Sequence, residues 1–403
     1  MSDSMTGRRI AKDSNGITTI YVNEEDLADF PNFMRFVLNE KLGLDEGVLK
    51  DVYGYREKVV NPMKAKSNRN SFINEVKVLL ERSLDSLLDY YWATIRRLSI
   101  KSNGMDFQED VVDMHSLIEV AKTQRQLYGL ENCTVESTPA AECSHLSHVS
   151  QSEKEDNKFS ILYAAGVPVG DADCKITHTF SLSSLKTILD VIPTKIPGFS
   201  SPYLYFGMEM SSFGWHIEDI AAFSLNALHY GAPCIWFVVP PPYFKLFKEW
   251  SNNFFLDRGH VACSNVLGAS HKYVMASVTF LRELGIPANI VVQEEREIVL
   301  LYPYAAHSGF KTGLDVQQAV NFLDPWSVEL SIFAPTCECY DSCVQIDLKE
   351  VIALVRPDLL KLYLDRDLRG LITALKDHKY LQKIGILPSL PNEDSEKSII
   401  SCQ

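Results

Sequence analysis

Long apolar runs are missing from this sequence. No stretch approaches the ~20 apolar residues that a membrane-spanning helix requires. The N-terminus carries two arginines without the apolar core of a secretory signal, so no signal peptide is expected. These absences argue against a membrane-embedded or secreted protein.

A regular cysteine framework is also missing. Nine cysteines lie at irregular spacings in a chain of 403 residues. Disulfide-rich secreted domains are short and have regularly spaced cysteines. We therefore interpret these residues as intracellular thiols and metal ligands.

Basic charge is scarce. Lysine and arginine number 39 against 52 acidic residues, for a net charge of −13. Such a balance does not favour direct, sequence-specific DNA binding, which normally uses a basic patch. It suits a basic peptide such as a histone tail, although net charge alone is explained more simply by solubility. No strong basic run for nuclear import and no reader module, such as a zinc finger array, is evident.

What the sequence does contain is a globular composition, with 46% hydrophobic and 10% aromatic residues. Short apolar segments separated by Gly, Pro and Asn predict the strands of a sandwich or barrel. The clearest predicted strands are Ile161–Val169, Tyr203–Met208, Ala222–Leu228, Ile235–Val239 and Ile298–Tyr302. Helical spacing predicts helices over 71–100, Val111–Tyr128, Leu348–Val355 and Pro357–Leu375.

The most informative motif joins His216 and Glu218 with a distant histidine, His307. Residues i and i+2 of a strand point to one face, so His216 and Glu218 are expected to point the same way. A histidine from another strand would complete a 2-His-1-carboxylate triad, which holds Fe(II) and leaves positions open for other ligands. The alternative is a satisfied polar cluster without metal.

The context of this motif resembles the JmjC lysine demethylases, in the branch that carries an N-terminal JmjN segment. The stretches that carry the resemblance are Ser201–Met208, Phe213–Asp219, Ala222–Gly231, Trp236 with Pro240–Pro242, and, for JmjN, Val22–Phe36 with Gly47–Lys50. The family fold is a mainly β protein with flanking helices (α+β). Its core is a double-stranded β-helix, the jelly-roll or cupin-like barrel, with the JmjN segment before it and C-terminal helices after it.

Composition and this resemblance together predict a division of the chain into seven parts. They are a disordered N-terminus (1–16), JmjN (17–60), a linking helical segment (61–100), a partly disordered insertion (101–157), the JmjC catalytic domain (158–335), a zinc-linked C-terminal helical segment (336–388) and a loose tail (389–403). Within JmjN we expect a strand, a helix begun near Asn23–Asp26 and a short second strand.

The family's co-substrate is 2-oxoglutarate, and the resemblance assigns it a pocket here. Tyr163 and Asn226 are expected to hydrogen-bond it, while Phe213 and Trp236 pack against it. The family places a lysine eighteen residues beyond the first iron histidine, to pair with the distal carboxylate of 2-oxoglutarate, and this chain has Cys234 there. A cysteine cannot donate a charge-assisted bond, and losing a buried lysine–carboxylate pair costs ~100-fold in affinity.

No replacement for that lysine is evident from the sequence. Lys311 and Arg296 are candidates without support, and Lys272 matches a lysine that the family also has. Other oxygenases use an arginine shortly after the second iron histidine, which is His307 here. The corresponding stretch of this chain, Gly313–Ala319, has no basic side chain.

The resemblance also implies a methyl-lysine pocket and a structural zinc site. Tyr205, Glu218, Ala319 and Asn321 would line the pocket, with Asp219 near the basic peptide or simply a surface charge. Cys263, His271, Cys337 and Cys339 would bind Zn(II) in a tetrahedral site, with Cys343 as a substitute for the least secure ligand, Cys263. Four ordinary buried groups are the alternative.

The implied function is that of a nuclear Fe(II)- and 2-oxoglutarate-dependent histone demethylase. It would oxidise N-methyl-lysine on the histone H3 tail, of the lysine nine or thirty-six type, and release formaldehyde, succinate and CO2, with chromatin-associated proteins as further partners. Two alternatives remain open. One is a catalytically impaired pseudoenzyme that acts as a chromatin scaffold, which Cys234 favours. The other is a JmjC protein hydroxylase, against which the JmjN segment argues.

Overall fold

The computed structural model describes residues 9–22, 26, 29–52, 92–101, 104–113, 161–168, 182, 185–209, 211–256, 276–335 and 346–387. Its strands are β1 Arg9–Lys12, β2 Thr18–Tyr21, β3 Val48–Val52, β4 Trp92–Lys101, β5 Gly104–Asp113, β6 Ile161–Pro168, β7 Tyr203–Gly207, β8 Ser212–His216, β9 Phe223–Gly231, β10 Cys234–Val239, β11 Asn289–Gln293, β12 Glu297–Leu301, β13 Ala306–Lys311 and β14 Asp315–Phe322. Its α-helices are α1 Phe30–Asn39, α2 Phe244–Leu256, α3 Val278–Glu283, α4 Val328–Ile332, α5 Lys349–Val355, α6 Pro357–Leu364, α7 Leu368–Ala374 and α8 Lys379–Lys383.

The strands form two sheets. The larger has the order β1-β2-β3-β12-β9-β14-β7-β6-β4-β5, and the smaller has the order β11-β10-β13-β8. From β7 to β14 successive strands alternate between the two sheets, except that β10 and β11 are neighbours in the smaller sheet, and every pairing in this region is antiparallel. This is the expected jelly roll, with helices on its outside.

Alternation along the strands sorts the core into three layers. Between the sheets lie β10 and β12 side chains such as Trp236, Val238, Val299 and Leu301. The outer face of the small sheet packs against the C-terminal helices, and the outer face of the large sheet packs against α1. The interior between the sheets therefore has helices on both sides and contains the candidate site.

Helix α1 shows why this packing occurs. Its buried residues Phe30, Phe33, Met34 and Val37 follow helical spacing and form one apolar stripe. The carboxylate of Asp29 accepts the backbone N–H of Asn32, which caps the helix start. Helix α1 therefore presents an apolar face to the large sheet.

The predicted strands agree with the structure within a few residues. Two helix predictions are wrong where the structure describes them. Residues 92–100, the last part of the helix expected over 71–100, lie in strand β4, which pairs with β5 and β6. Strand β5 likewise replaces the start of the helix expected from Val111. Hydrogen bonds to neighbouring strands outweigh a helical pattern there. The rest of both predicted helices lies outside the described residues.

At the C-terminus, the helix predicted over Pro357–Leu375 is divided into α6 and α7. Arg366 has φ 54°, a left-handed backbone conformation that ends α6. The expected strand, helix and strand of the N-terminal segment are present as β2, α1 and β3, while most of the predicted helix start at Asn23–Asp26 lies outside the described residues. Within the described part of the chain, no helix is long and apolar enough to cross a membrane.

Candidate active site

Two buried histidines meet where β8 and β13 pair. His216 lies directly opposite His307, and their ring centroids are 4.1 Å apart. The Nδ1 atom of His216 is 2.8 Å from the carbonyl oxygen of Gly214, and that of His307 is 3.0 Å from the carbonyl oxygen of Ala305. A carbonyl can only accept, so Nδ1 carries the proton in both rings. Each Nε2 is then left with its lone pair, as metal ligation requires.

Glu218 completes the group. Strand β8 ends at His216, but the backbone stays extended at Glu218 (φ −68°, ψ 151°) before a 3-10 turn, Asp219–Ala221. The carboxylate Oε1 of Glu218 is therefore held 3.4 Å from Nε2 of His307. One ligand atom from each of the three residues lies within 4.8 Å of the others.

This donor set fits a metal ion. Two neutral imidazoles and one carboxylate on one side of an ion are typical of non-haem Fe(II) sites. The two backbone carbonyls fix the tautomer and the ring orientation, as outer partners of metal-bound histidines usually do. The group can hold one ion and still leave coordination positions for smaller ligands.

Comparison with known proteins identifies the region that contains these residues. A family described as "JmjC domain, hydroxylase" matches residues 203–322, which include all three ligands and strands β7 to β14. The chain contains a JmjC domain.

Curated relatives agree with this match. The chain is 33% identical over 194 residues to "Probable lysine-specific demethylase 4F" of Homo sapiens. The matched stretch covers 47% of this chain and 30% of the relative. The chain is 32% identical over 223 residues to "Lysine-specific demethylase 4D" of Rattus norvegicus (54% and 42%) and 32% identical over 183 residues to "Lysine-specific demethylase 4B" of Mus musculus (44% and 17%). The matched region is less than half the length of each of these relatives.

An aromatic wall adjoins the histidines of the JmjC domain. The rings of Phe213 and Trp236 have centroids 4.9 Å apart, and Phe213 meets His216 edge-on at 6.3 Å. The ring of Trp236 is 6.1 Å from that of His307. Both aromatic residues that the sequence assigned to the co-substrate pocket therefore lie against the candidate metal ligands His216 and His307.

A chain of buried amides, which the sequence analysis missed, continues from this wall. Trp236 Nε1 donates to Oε1 of Gln293 at 2.8 Å, and Gln293 Nε2 donates to Oδ1 of Asn226 at 3.2 Å. Asn226 in turn donates to Oε1 of Gln317 at 3.4 Å. Asn226, predicted to bind the co-substrate, is therefore oriented by two glutamines. The alternation of polar residues at 315, 317 and 321 was a signal that could have indicated this inner face of β14.

The departure at Cys234 is buried in the same region. Its side chain is 0% exposed, and burial raises the pKa of the thiol to about 12, so it stays protonated and uncharged. Directly opposite it in the β10–β13 ladder is Lys311, which is 1% exposed. Nζ of Lys311 lies 2.6 Å from Oδ2 of Asp315 and 2.6 Å from Oε1 of Gln317. A buried cation thus lies beside the position where the family lysine was expected.

The residues predicted to contact a substrate lie on the inner face of β7 and β14 and at the metal end. Tyr205 is partly buried and stacks on Tyr163, with centroids 6.3 Å apart. Ala319 pairs with Asn226 across the ladder, and Asn321 donates to the carbonyl of Phe223 at 3.1 Å. Asp219 is exposed and begins the turn after Glu218.

The predicted zinc ligands lie outside the described residues. They are Cys263, His271, Cys337 and Cys339, with the substitute Cys343. Lys272 also lies outside the described residues. The zinc site therefore stays a prediction.

Proposed function

We propose that this protein is an Fe(II)- and 2-oxoglutarate-dependent demethylase that acts on N-methyl-lysine of a histone tail, with the H3 tail as first candidate. The observation that carries the proposal is the convergence of His216, Glu218 and His307, with both Nδ1 atoms tied to carbonyls. The names of the relatives, which are lysine-specific demethylases, support the substrate class.

In this proposal the three ligands would hold Fe(II), which would use dioxygen as the oxidant for attack on a C–H bond, while 2-oxoglutarate is oxidised to succinate and CO2 in the same turnover. The protein's own residues position the reactants. Phe213 and Trp236 exclude water from one side of the metal, and Asn226 presents an amide fixed by Gln293. Hydroxylation of the N-methyl group gives a product that loses formaldehyde.

Binding of a methylated ammonium group is proposed for the inner face near Tyr205, Ala319 and Asn321. Tyrosine and amide oxygens suit a methylated ammonium through weak C–H···O contacts. The net charge of −13 and the exposed carboxylate of Asp219 favour a basic peptide. A nuclear location and chromatin-associated partners follow from the substrate and belong to the same proposal, as does the structural zinc.

A pseudoenzyme is the second candidate, because Cys234 replaces the expected lysine and Lys311 already has Asp315 as a counter-ion. Turnover separates the two. The Fe(II)-loaded chain is incubated with 2-oxoglutarate and methylated H3 peptides, and succinate, formaldehyde and peptide mass are measured. We expect peptide-stimulated succinate, formaldehyde and loss of 14 Da from the peptide. A stable gain of 16 Da would indicate a hydroxylase instead.

The matched variants are His216→Ala and His229→Gln. His229 is also a buried histidine of the barrel, but its Nε2 lies 3.2 Å from Oε1 of Gln318, away from the metal group. The first variant should lose Fe(II) binding and turnover, whereas the second should keep both. Iron binding without any turnover in the unaltered chain would support the scaffold function and contradict the demethylase proposal.

A further inference from the structure

Lys311 occupies an unusual position in the barrel. It lies on β13, the strand that carries His307, and it is the cross-strand partner of Cys234. Residues four apart on a strand point to the same face, so Lys311 and the metal ligand His307 both point into the interior. The residue between them on that face, Gly309, lies opposite Trp236 and Phe213. The sequence puts no acidic or basic residue between the metal ligand and this lysine.

The fold makes specific room for this side chain. A Cβ at Gly207, on β7, would come within 1.9 Å of Cδ of Lys311 and 2.6 Å of Oδ1 of Asp315. The backbone N–H of Gly207 donates to the same Asp315 oxygen at 3.1 Å. A side chain at Gly207 would therefore clash with the buried pair as it is placed here.

The hydrogen bonds of Lys311 leave donor capacity. An ammonium group has three N–H donors, and Asp315 and Gln317 accept two of them. Nζ also lies 5.9 Å from the ring centroid of Tyr163, the residue that the sequence assigned to the co-substrate. The cation thus lies near both the Cys234 position and the tyrosine that was expected to hydrogen-bond the co-substrate.

Burying a lysine is costly, and a buried ion pair is rarely more stabilising than an apolar pair of the same size. A purely structural purpose for Lys311 and Asp315 is therefore a weak explanation. The uncharged thiol of Cys234 is compatible with a lysine directly opposite it. A second lysine at position 234 would instead place two cations on directly paired residues.

We propose that Lys311 binds the distal carboxylate of the co-substrate, so that the basic anchor has moved from the position of Cys234 on β10 to the facing position on β13. The inference rests on the proposed function, since it assumes 2-oxoglutarate as co-substrate. Asp315 serves as the counter-ion of Lys311 when the site is empty, and Gln317 links the anchor to Asn226.

Binding, without turnover, tests the proposal. The full chain is loaded with Fe(II) under anaerobic conditions, and two ligands are titrated by calorimetry and by the charge-transfer absorption of the complex: 2-oxoglutarate and 2-oxopentanoate. The second has the same carbon chain but lacks the distal carboxylate. We expect the unaltered chain to prefer 2-oxoglutarate by ~100-fold, the value typical of a buried charge-assisted contact.

Three variants give the test its specificity. Lys311→Met should remove this preference without changing the affinity for 2-oxopentanoate or for the metal. Because a lone Asp315 carboxylate would be left buried, the double variant Lys311→Met/Asp315→Leu, which removes both charges, repeats the test in a chain that keeps no orphaned ion. Lys50→Met is the matched control, since Lys50 is a part-buried lysine of the barrel that pairs with Glu297 instead, and its preference should stay unchanged.

The outcomes separate the two proposals. A preference for 2-oxoglutarate that persists in the double variant would overturn the role of Lys311 while leaving the proposed function intact. If the Fe(II)-loaded chain binds neither keto acid, the proposed function fails and this inference fails with it. Loss of preference only in the two Lys311 variants, with a normal Lys50→Met control, supports the relocated anchor.

Discussion

Gly309 allows a sharp test of how closely the barrel is packed around the metal group. A Cβ at this position would meet the carbonyl oxygen of Ile235 at 2.3 Å and Cζ of Phe213 at 2.5 Å. The oxygen belongs to the backbone of β10 and cannot withdraw without opening the β10–β13 ladder. Phe213 packs against Trp236 with ring centroids 4.9 Å apart, so a shift of its ring would disturb that contact.

Gly309→Ala is therefore expected to lower the free energy of unfolding by ~1–3 kcal/mol, as overpacking of a core does. It should also weaken Fe(II) or Co(II) binding by ~10–100-fold, the range seen when the surroundings of metal ligands are displaced. His307 is only two residues away on the same face of β13, so any shift of the strand moves this ligand. Denaturant unfolding and metal titration measure the two effects.

The control is Gly285→Ala. Gly285 has φ +76° and nothing within 4 Å of an added Cβ, so alanine there meets backbone strain of ~1–2 kcal/mol but no steric clash. It should lose stability without losing metal affinity. If Gly309→Ala binds the metal as tightly as Gly285→Ala does, the argument that packing at Gly309 positions His307 is refuted.

Two further predictions concern pH. Burial, and secondarily Asp26, raise the pKa of Asp51, whose carboxyl oxygens have no hydrogen-bond partner among the described residues. The folded state therefore favours the protonated acid and loses stability as pH rises, so Asp51→Asn should be ~1–3 kcal/mol more stable than the unaltered chain near pH 8 and equal to it in acid; an equal pH slope in both chains would contradict this. Burial lowers the pKa of His229 from 6.5 to about 4, so the folded state favours the neutral ring. The stability that this ring contributes to the fold is therefore complete above pH 6.5 and is lost as pH falls towards 4. The loss is about 3 kcal/mol at most, and unfolding of His229→Gln followed from pH 7 to 4 should lack it.

Much of the barrel could be predicted from local pattern. The strands at Ile235–Val239 and Ile298–Tyr302 are apolar and bounded by turn residues, and both lie within one residue of their observed positions. The helix predicted up to residue 100 failed for the opposite reason. The helical pattern is a local property, whereas strand β4 exists through its pairing with β5 and β6, which no local pattern reveals.

Sequence alone determined the chemistry that is available: the types of the three candidate metal ligands, the aromatic residues beside them and the cysteine at position 234 where the family has a lysine. These are matters of residue identity and short spacing. Tertiary structure decided which distant residues meet. Lys311 is 77 positions from Cys234 in the chain, yet the antiparallel register of β10 and β13 makes the two direct partners. Cross-strand register is set by the packing of whole sheets, so the cation that the sequence lacks at one position is found at the position facing it.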